Sequence, residues 1–190
     1  RLGSSGDVEL GCGMDGEAPG GQSLRRTVAL CLLTLLGVTA PAASGPTLED
    51  LERRLGGSTG PERLALLCEL AEAASARDRA RARAYGEEAL TLALSLGAAP
   101  AQMLAHRHIG VALVWLGQPG QGKTHLETSL SLARAAGDGK SEGDALNGLG
   151  LAHYHAGQLE QAIKRFHEVL SIRTRLGDER GMAAVHANLG

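Results

Sequence analysis

Residues 110–138, GVALVWLGQPGQGKTHLETSLSLARAAGD, and residues 150–178, GLAHYHAGQLEQAIKRFHEVLSIRTRLGD, lie on one another without a gap. Gly110, Ala112, Gly117, Gln118, Gln121, Leu130, Ser131, Gly137 and Asp138 each recur as the same residue 40 positions on. A unit of this size cannot bury its apolar face alone, so such units stack into a solenoid whose core runs from one to the next. Solenoids mostly bind other molecules, which lowers the expectation of catalysis before any motif is weighed.

Helical spacing extends on either side of these two stretches. Leu64, Leu67, Leu70, Ala71 and Ala74 form one apolar stripe, and Ala82, Tyr85, Ala89, Leu92 and Leu96 form a second before Gly97. The next pair of helices is predicted over about 103–116 and 121–136 and is closed by Gly137-Asp138, a left-handed cap followed by a helix start. A third pair is predicted over about 143–156 and 159–176, closed by Gly177-Asp178. The links within pairs, Gly117-Gln118 and Gly157-Gln158, are so short that the paired helices must be antiparallel neighbours. The fold class is therefore all-α, an α-solenoid of antiparallel helix pairs. The array occupies 61–190, with units at about 61–97, 103–137 and 143–177 and a truncated one at 182–190. Gly190 stands in register with Gly110 and Gly150, inside a first helix, so the natural protein is expected to continue. A scarcity of aromatics, offset by Ala and Leu, suits closely packed helices.

Residues 1–24 are rich in Gly and Ser and read as unstructured or untranslated, with Met14 as the expected start. Residues 25–42 have the three parts of a secretory signal. Arg25 and Arg26 precede the apolar run Thr27 to Val38, and Ala40-Pro41-Ala42 offers small residues for cleavage. That run has 12 residues, whereas a helix needs about 20 to cross a bilayer. Leu24 stands where a twin-arginine signal has Ser or Thr, so general export is expected. Cys31 lies inside the run behind Leu30, which does not make a lipoprotein box. The expected location is exported, with a membrane link only through an uncleaved signal or segments downstream of Gly190. Residues 43–60 read as a linker with one short helix, from Thr47 to Leu55, before a turn at 56–60 and Pro61 as a first helical residue.

A formal net charge of −2 supplies no basic stripe for phosphates, and only Tyr85, Trp115, Tyr154 and Phe166 could stack on bases, so nucleic acid is not expected as a partner. Cleavage after Ala42 would leave Cys68 as the one cysteine, a small core residue with no disulfide partner.

The stretch 146–181, LNGLGLAHYHAGQLEQAIKRFHEVLSIRTRLGDERG, resembles a tetratricopeptide repeat: Gly150 in the first helix, Gly157 at the turn, then Ala162 and Phe166 facing the first helix. In the preceding unit Gly122 replaces the alanine and Leu126 the phenylalanine. In the earliest, Leu70 replaces the glycine and Gly86 the phenylalanine, leaving Ala82 and Ala89. The 40-residue period and the LGD-type link resemble extended arrays of bacterial sensor proteins, in which a signal segment and repeats precede a membrane helix and a signalling enzyme. The resemblance implies a right-handed solenoid, with a protein or peptide ligand held on a concave surface lined by the first helix of each pair. The matching positions are Arg107, Val111, Val114, Trp115, Asn147, Leu151, Tyr154 and His155. The family's carboxylate clamp is represented only by Arg107 and Asn147.

Two motifs suggest chemistry. Residues 117–124, GQPGQGKT, satisfy the Walker A pattern behind a β-friendly run, Val111 to Leu116, which makes a P-loop nucleotide-binding enzyme the alternative reading. A P-loop also needs a strand feeding the glycines and an acidic residue for Mg²⁺, and these eight residues align with 157–164, where a turn and a helix start are expected. Pro119, Gly120 and Gly122 should weaken that helix start, since Gly costs about 1 kcal/mol relative to Ala within a helix. His106 with His108, and His153 with His155, are two apart and point about 200° from one another on a helix, which does not suit a metal. Glu87 and Glu88 read as an exposed face. No catalytic residue, cofactor or metal is expected, and the reading is a binding scaffold or sensory module rather than an enzyme.

Overall fold

The computed structural model describes residues 46–189, and the expected signal, Met14, Cys12, Cys31 and Gly190 lie outside the described residues. Thr47 opens the first helix with a capping box. Its hydroxyl accepts the Asp50 amide at 3.2 Å, and the Asp50 carboxylate accepts the Thr47 amide at 3.3 Å. Helix α1 spans Leu48–Leu55, α2 Gly60–Ala74, α3 Arg79–Ser95 and α4 Ala99–Trp115. Then follow α5 Pro119–Ala136, α6 Gly139–His155, α7 Leu159–Leu176 and α8 Glu179–Leu189. Among the described residues there is no strand, and the architecture is an all-α helical repeat solenoid.

Three helices begin earlier than apolar spacing predicts: α4 at 99 rather than 103, α5 at 119 rather than 121, and α6 at 139 rather than 143. Their first turns are set by local chemistry. Pro100 and Pro119 occupy initial positions where a missing N–H costs nothing, and the Asp138 carboxylate accepts the Ser141 amide at 3.0 Å. Gly137 takes the left-handed cap, φ 66°, that frees Asp138 to start the next helix. Leu96 departs from its predicted stripe. Helix α3 ends at Ser95, and Leu96 in the cap position is 44% exposed.

Within the array, α2 pairs with α3, α4 with α5, and α6 with α7, and each pair packs on the next. The first helices also touch one another, α2 with α4 and α4 with α6, whereas the second helices make no comparable contact. First helices therefore line the tighter, concave side. The core continues through the pairs: Val114, Leu126, Leu146, Leu149, Phe166, Val169 and Val185 form one buried cluster. Burying a side chain of this size contributes about 1.5–3 kcal/mol.

The repeats are alike in backbone but trade volume across their seams. Phe166 fills the space beside Gly150, where an added Cβ would come within 2.5 Å of Phe166 Cε1. One unit earlier the phenylalanine is Leu126 and the alanine is Gly122, which brings α5 against the backbone of α4. Gly143 and Arg173 replace Met103 and Ala133 in the same manner. Arg173 is buried and pairs with Asp144 of α6 and Asp178 ahead of α8, so one guanidinium joins three segments.

Candidate functional site

Arg107, Val111 and Trp115 stand at successive turns of α4, and Asn147, Leu151 and His155 occupy the corresponding positions of α6. The two rows meet at their C-terminal ends. Trp115 and His155, 40 positions apart and thus equivalent, are in edge-to-face contact with ring centroids 4.9 Å apart. Tyr154 lies edge-on to His155 at 5.7 Å, and the Arg79 guanidinium at the start of α3 sits 5.0 Å from the Trp115 ring centroid. Trp115 is 46% exposed and Tyr154 55%. A cation, two aromatics and an imidazole thus crowd the C-terminal ends of α4 and α6, with Trp115 and Tyr154 leaving much apolar surface open to solvent.

Val114 does not belong to this surface. It is buried at 1% exposure in the seam between α4 and α5, beside the open position at Gly122, where a Cβ would meet Val114 Cγ2 at 2.8 Å. Its equivalent 40 positions on, Tyr154, is 55% exposed, and the residue equivalent to Gly122 is Ala162.

Arg107 and Asn147 are spent internally. Arg107 donates to the Glu72 carboxylate of α2 at 2.8 Å, and Asn147 Oδ1 accepts from Asn188 Nδ2 of α8 at 3.0 Å. Beside Arg107 is buried His108, with Nδ1 3.6 Å from Glu72. Burial, then the Arg107 charge, pushes the His108 imidazole down to about 4 despite Glu72, so it is neutral near pH 7. Burial raises the Glu72 carboxyl, but the Arg107 hydrogen bond and charge, helped by His108 and Lys140, outweigh it and hold it below its ordinary value. These three residues, with Ser75, Ala82, Val111 and Ala112, line a cavity of about 50 Å³ at the α2–α4 contact. It is far smaller than a drug-sized pocket of roughly 300–1,000 Å³.

The Walker-like stretch is a helix hairpin. The run Val111 to Leu116 is the end of α4 and its cap rather than a strand, Gly117 turns with φ 78°, and α5 starts at Pro119. The Gly122 amide donates to Gln118 O at 3.0 Å, Thr124 Oγ1 donates to Gly120 O at 3.4 Å, and Lys123 lies 3.7 Å from Glu127 on the same helix. Phosphate binding needs these amides and the lysine turned toward one centre. The helix has already used or dispersed them. The helix does begin at Pro119, and of its early glycines Gly122 is buried at the seam with α4.

His106 and His108 do diverge as their spacing predicts, but His106 meets a histidine that spacing within one helix does not reveal. Its Nδ1 lies 3.0 Å from Nδ1 of His125 on α5. Burial and the facing His125 lower the His106 imidazole. Burial, with Arg83 opposed by Glu87, lowers His125. His153, nearly buried, meets Gln158 Oε1 through Nδ1 at 2.6 Å and closes the turn before α7. Glu87 and Glu88 are exposed as read, and each holds an arginine, Arg83 and Arg63. Cys68 is partly buried against Leu64 and Leu67, and burial pushes its thiol up. Among the described residues no helix is long and apolar enough to cross a membrane.

A family model described as Tetratricopeptide repeat matches residues 101–175, from the start of α4 to the end of α7. No curated protein matches the chain.

Proposed function

Because residues 101–175 of this chain belong to the tetratricopeptide repeat family, whose members generally serve as protein-binding scaffolds, we propose that its concave face binds a peptide segment of a partner protein. The observation that carries this reading is the half-exposed pair Trp115 and Tyr154, joined through His155 at the open end of the groove. Aromatics of this kind dominate binding energy at interfaces, because they desolvate much area and lose few rotamers. Val111 and Leu151 extend the apolar floor away from them. Arg107 and Asn147, held by Glu72 and Asn188, act as supports for the groove. Recognition then falls on an apolar or aromatic side chain of the ligand rather than on a terminal carboxylate. The same reading makes the segment non-catalytic.

The Arg25–Ala42 pattern supports export, and the resemblance to sensor arrays supports a role in signalling, with the repeats as the receiving part of a longer bacterial protein. Export is tested by fusing residues 14–45 to a reporter active only after translocation. Activity that survives replacement of Leu32, Leu33, Leu35 and Leu36 by Asp would overturn it.

The groove is tested by selecting peptides from a random display library on the full chain and measuring the affinity of the enriched sequence. Trp115→Ala should weaken binding about tenfold or more, while exposed Ile163→Ser on α7 should leave it unchanged. Equal affinity of Trp115→Ala and the natural sequence would remove the groove from consideration.

A further inference from the structure

The α4–α5 seam carries a second feature that the peptide groove does not use. His106 and His125 are 19 positions apart in sequence, yet their Nδ1 atoms lie 3.0 Å apart with the rings tilted 40°. We infer that these two imidazoles form a binding site for a late first-row divalent ion, with Cu²⁺ bound before Ni²⁺ and Zn²⁺.

The spacing is that of neighbouring corners in a coordination sphere. Two nitrogens each about 2.0–2.1 Å from an ion, at a right angle, would stand about 2.9 Å apart. The pair is also preorganised. Both residues sit on helices locked at close approach by Gly110 and Gly122, with His106 one turn before Gly110 and His125 one turn after Gly122. Ordering two flexible side chains is the usual cost of such a site, and packing has already imposed much of that order here. Without an ion, one imidazole must carry its proton on Nδ1 and donate to the other. With an ion, that proton moves to Nε2, both Nδ1 lone pairs face the metal, and no net proton need leave.

The surroundings fix which ions suit. The facing charges are Glu87 and Arg83 of α3, which acts on His125 with opposite signs and are themselves paired at 2.7 Å. Among the described residues no third histidine, cysteine or carboxylate converges on a common point with the pair. Water fills the remaining positions, so affinity rests on two imidazoles. That donor set favours Cu²⁺, Ni²⁺ and Zn²⁺ over the oxygen-seeking Mg²⁺ and Ca²⁺. A simple N–H···N hydrogen bond across the seam is the competing explanation, and it needs no ion.

Calorimetry on the full chain with Cu²⁺, Ni²⁺, Zn²⁺ and Mg²⁺ separates the two. One Cu²⁺ should bind per chain, with Ni²⁺ and Zn²⁺ weaker and Mg²⁺ silent, and the Cu²⁺ electron paramagnetic resonance spectrum should show two nitrogen donors. His125→Ala and His106→Ala should each weaken Cu²⁺ binding at least about tenfold and leave one nitrogen donor. His167→Ala, at an exposed site on α7, should change neither. His125→Asn, close in shape, repeats the test should an alanine variant lose helicity. Copper held equally by the natural sequence and the His106/His125 variants, or a natural-sequence spectrum without two nitrogens, would overturn the assignment and leave the hydrogen bond.

Discussion

Gly110 and Gly122 face each other across the α4–α5 seam so closely that a Cβ on Gly122 would lie 2.6 Å from the Gly110 carbonyl oxygen. A Cβ on Gly110 would in turn meet Leu126 Cγ at 2.7 Å and Gly122 O at 2.9 Å. Backbone cannot swing aside as a side chain can, so this contact sets the spacing of the second repeat.

Gly122→Ala should therefore destabilise the chain by about 1–3 kcal/mol, the usual cost of overpacking, even after a helix-propensity gain of up to about 1 kcal/mol. Gly120→Ala, two residues earlier with nothing within 4 Å of its Cβ, should be neutral or stabilising by a few tenths of a kcal/mol. Urea unfolding followed by circular dichroism compares them. Equal effects would mean that the seam is looser than described.

The same stretch decides the nucleotide question. Full chain titrated with Mg²⁺–ATP in a calorimeter should show no saturable binding, and Lys123→Ala should give the same trace. Binding present in the natural sequence and lost in Lys123→Ala would restore the phosphate-loop interpretation.

Arg173 is buried between Asp144 and Asp178, whereas Arg134 pairs with Glu142 at an exposed surface. Arg173→Ala strands two carboxylates and removes the tie among α6, α7 and the start of α8, and should cost about 2 kcal/mol or more. Arg134→Ala should stay within about 0.5 kcal/mol. Melting temperatures of the two variants test the contrast, and a Tm for Arg173→Ala indistinguishable from that of Arg134→Ala would contradict it.

Acid should loosen the inter-repeat caps. Hydrogen bonds from the Ser141 side chain and backbone hold the Asp138 carboxyl low, and those from the Gly181 amide and Arg173 do so for Asp178. A carboxyl lowered on folding stabilises the fold above its unfolded pKa of about 3.9, and that contribution is lost as pH falls through the lower folded value. Tm measured from pH 6 downward should fall most steeply below about pH 4. Asp138→Asn, which keeps a capping oxygen without the titration, should flatten part of that slope. An unchanged slope would assign the acid sensitivity elsewhere.

The hairpin architecture was legible in sequence because its punctuation is local: Gly137-Asp138 and Gly177-Asp178 each contain a cap and a helix start within two residues. Helix starts at 99 and 119 were less legible, since their proline-bearing first turns carry no apolar period. The exposure of Trp115 and Tyr154 agrees with their places in the helical pattern. Val114 does not, since it is buried beside Gly122 of the facing helix. The His106–His125 contact and the double pairing of Arg173 were invisible for the same reason. They arise between helices, and spacing along one helix does not encode them.

The most direct measurement of the proposed binding surface is the emission of Trp115, the only tryptophan in the chain, as a display-selected peptide is added. A groove that holds peptide between Trp115 and Tyr154 gives a saturable spectral shift, with Tyr154→Ala weakening the apparent affinity about tenfold. Saturable binding that leaves Trp115 emission unmoved and is indifferent to Tyr154→Ala would place the partner elsewhere on the array and contradict the assignment.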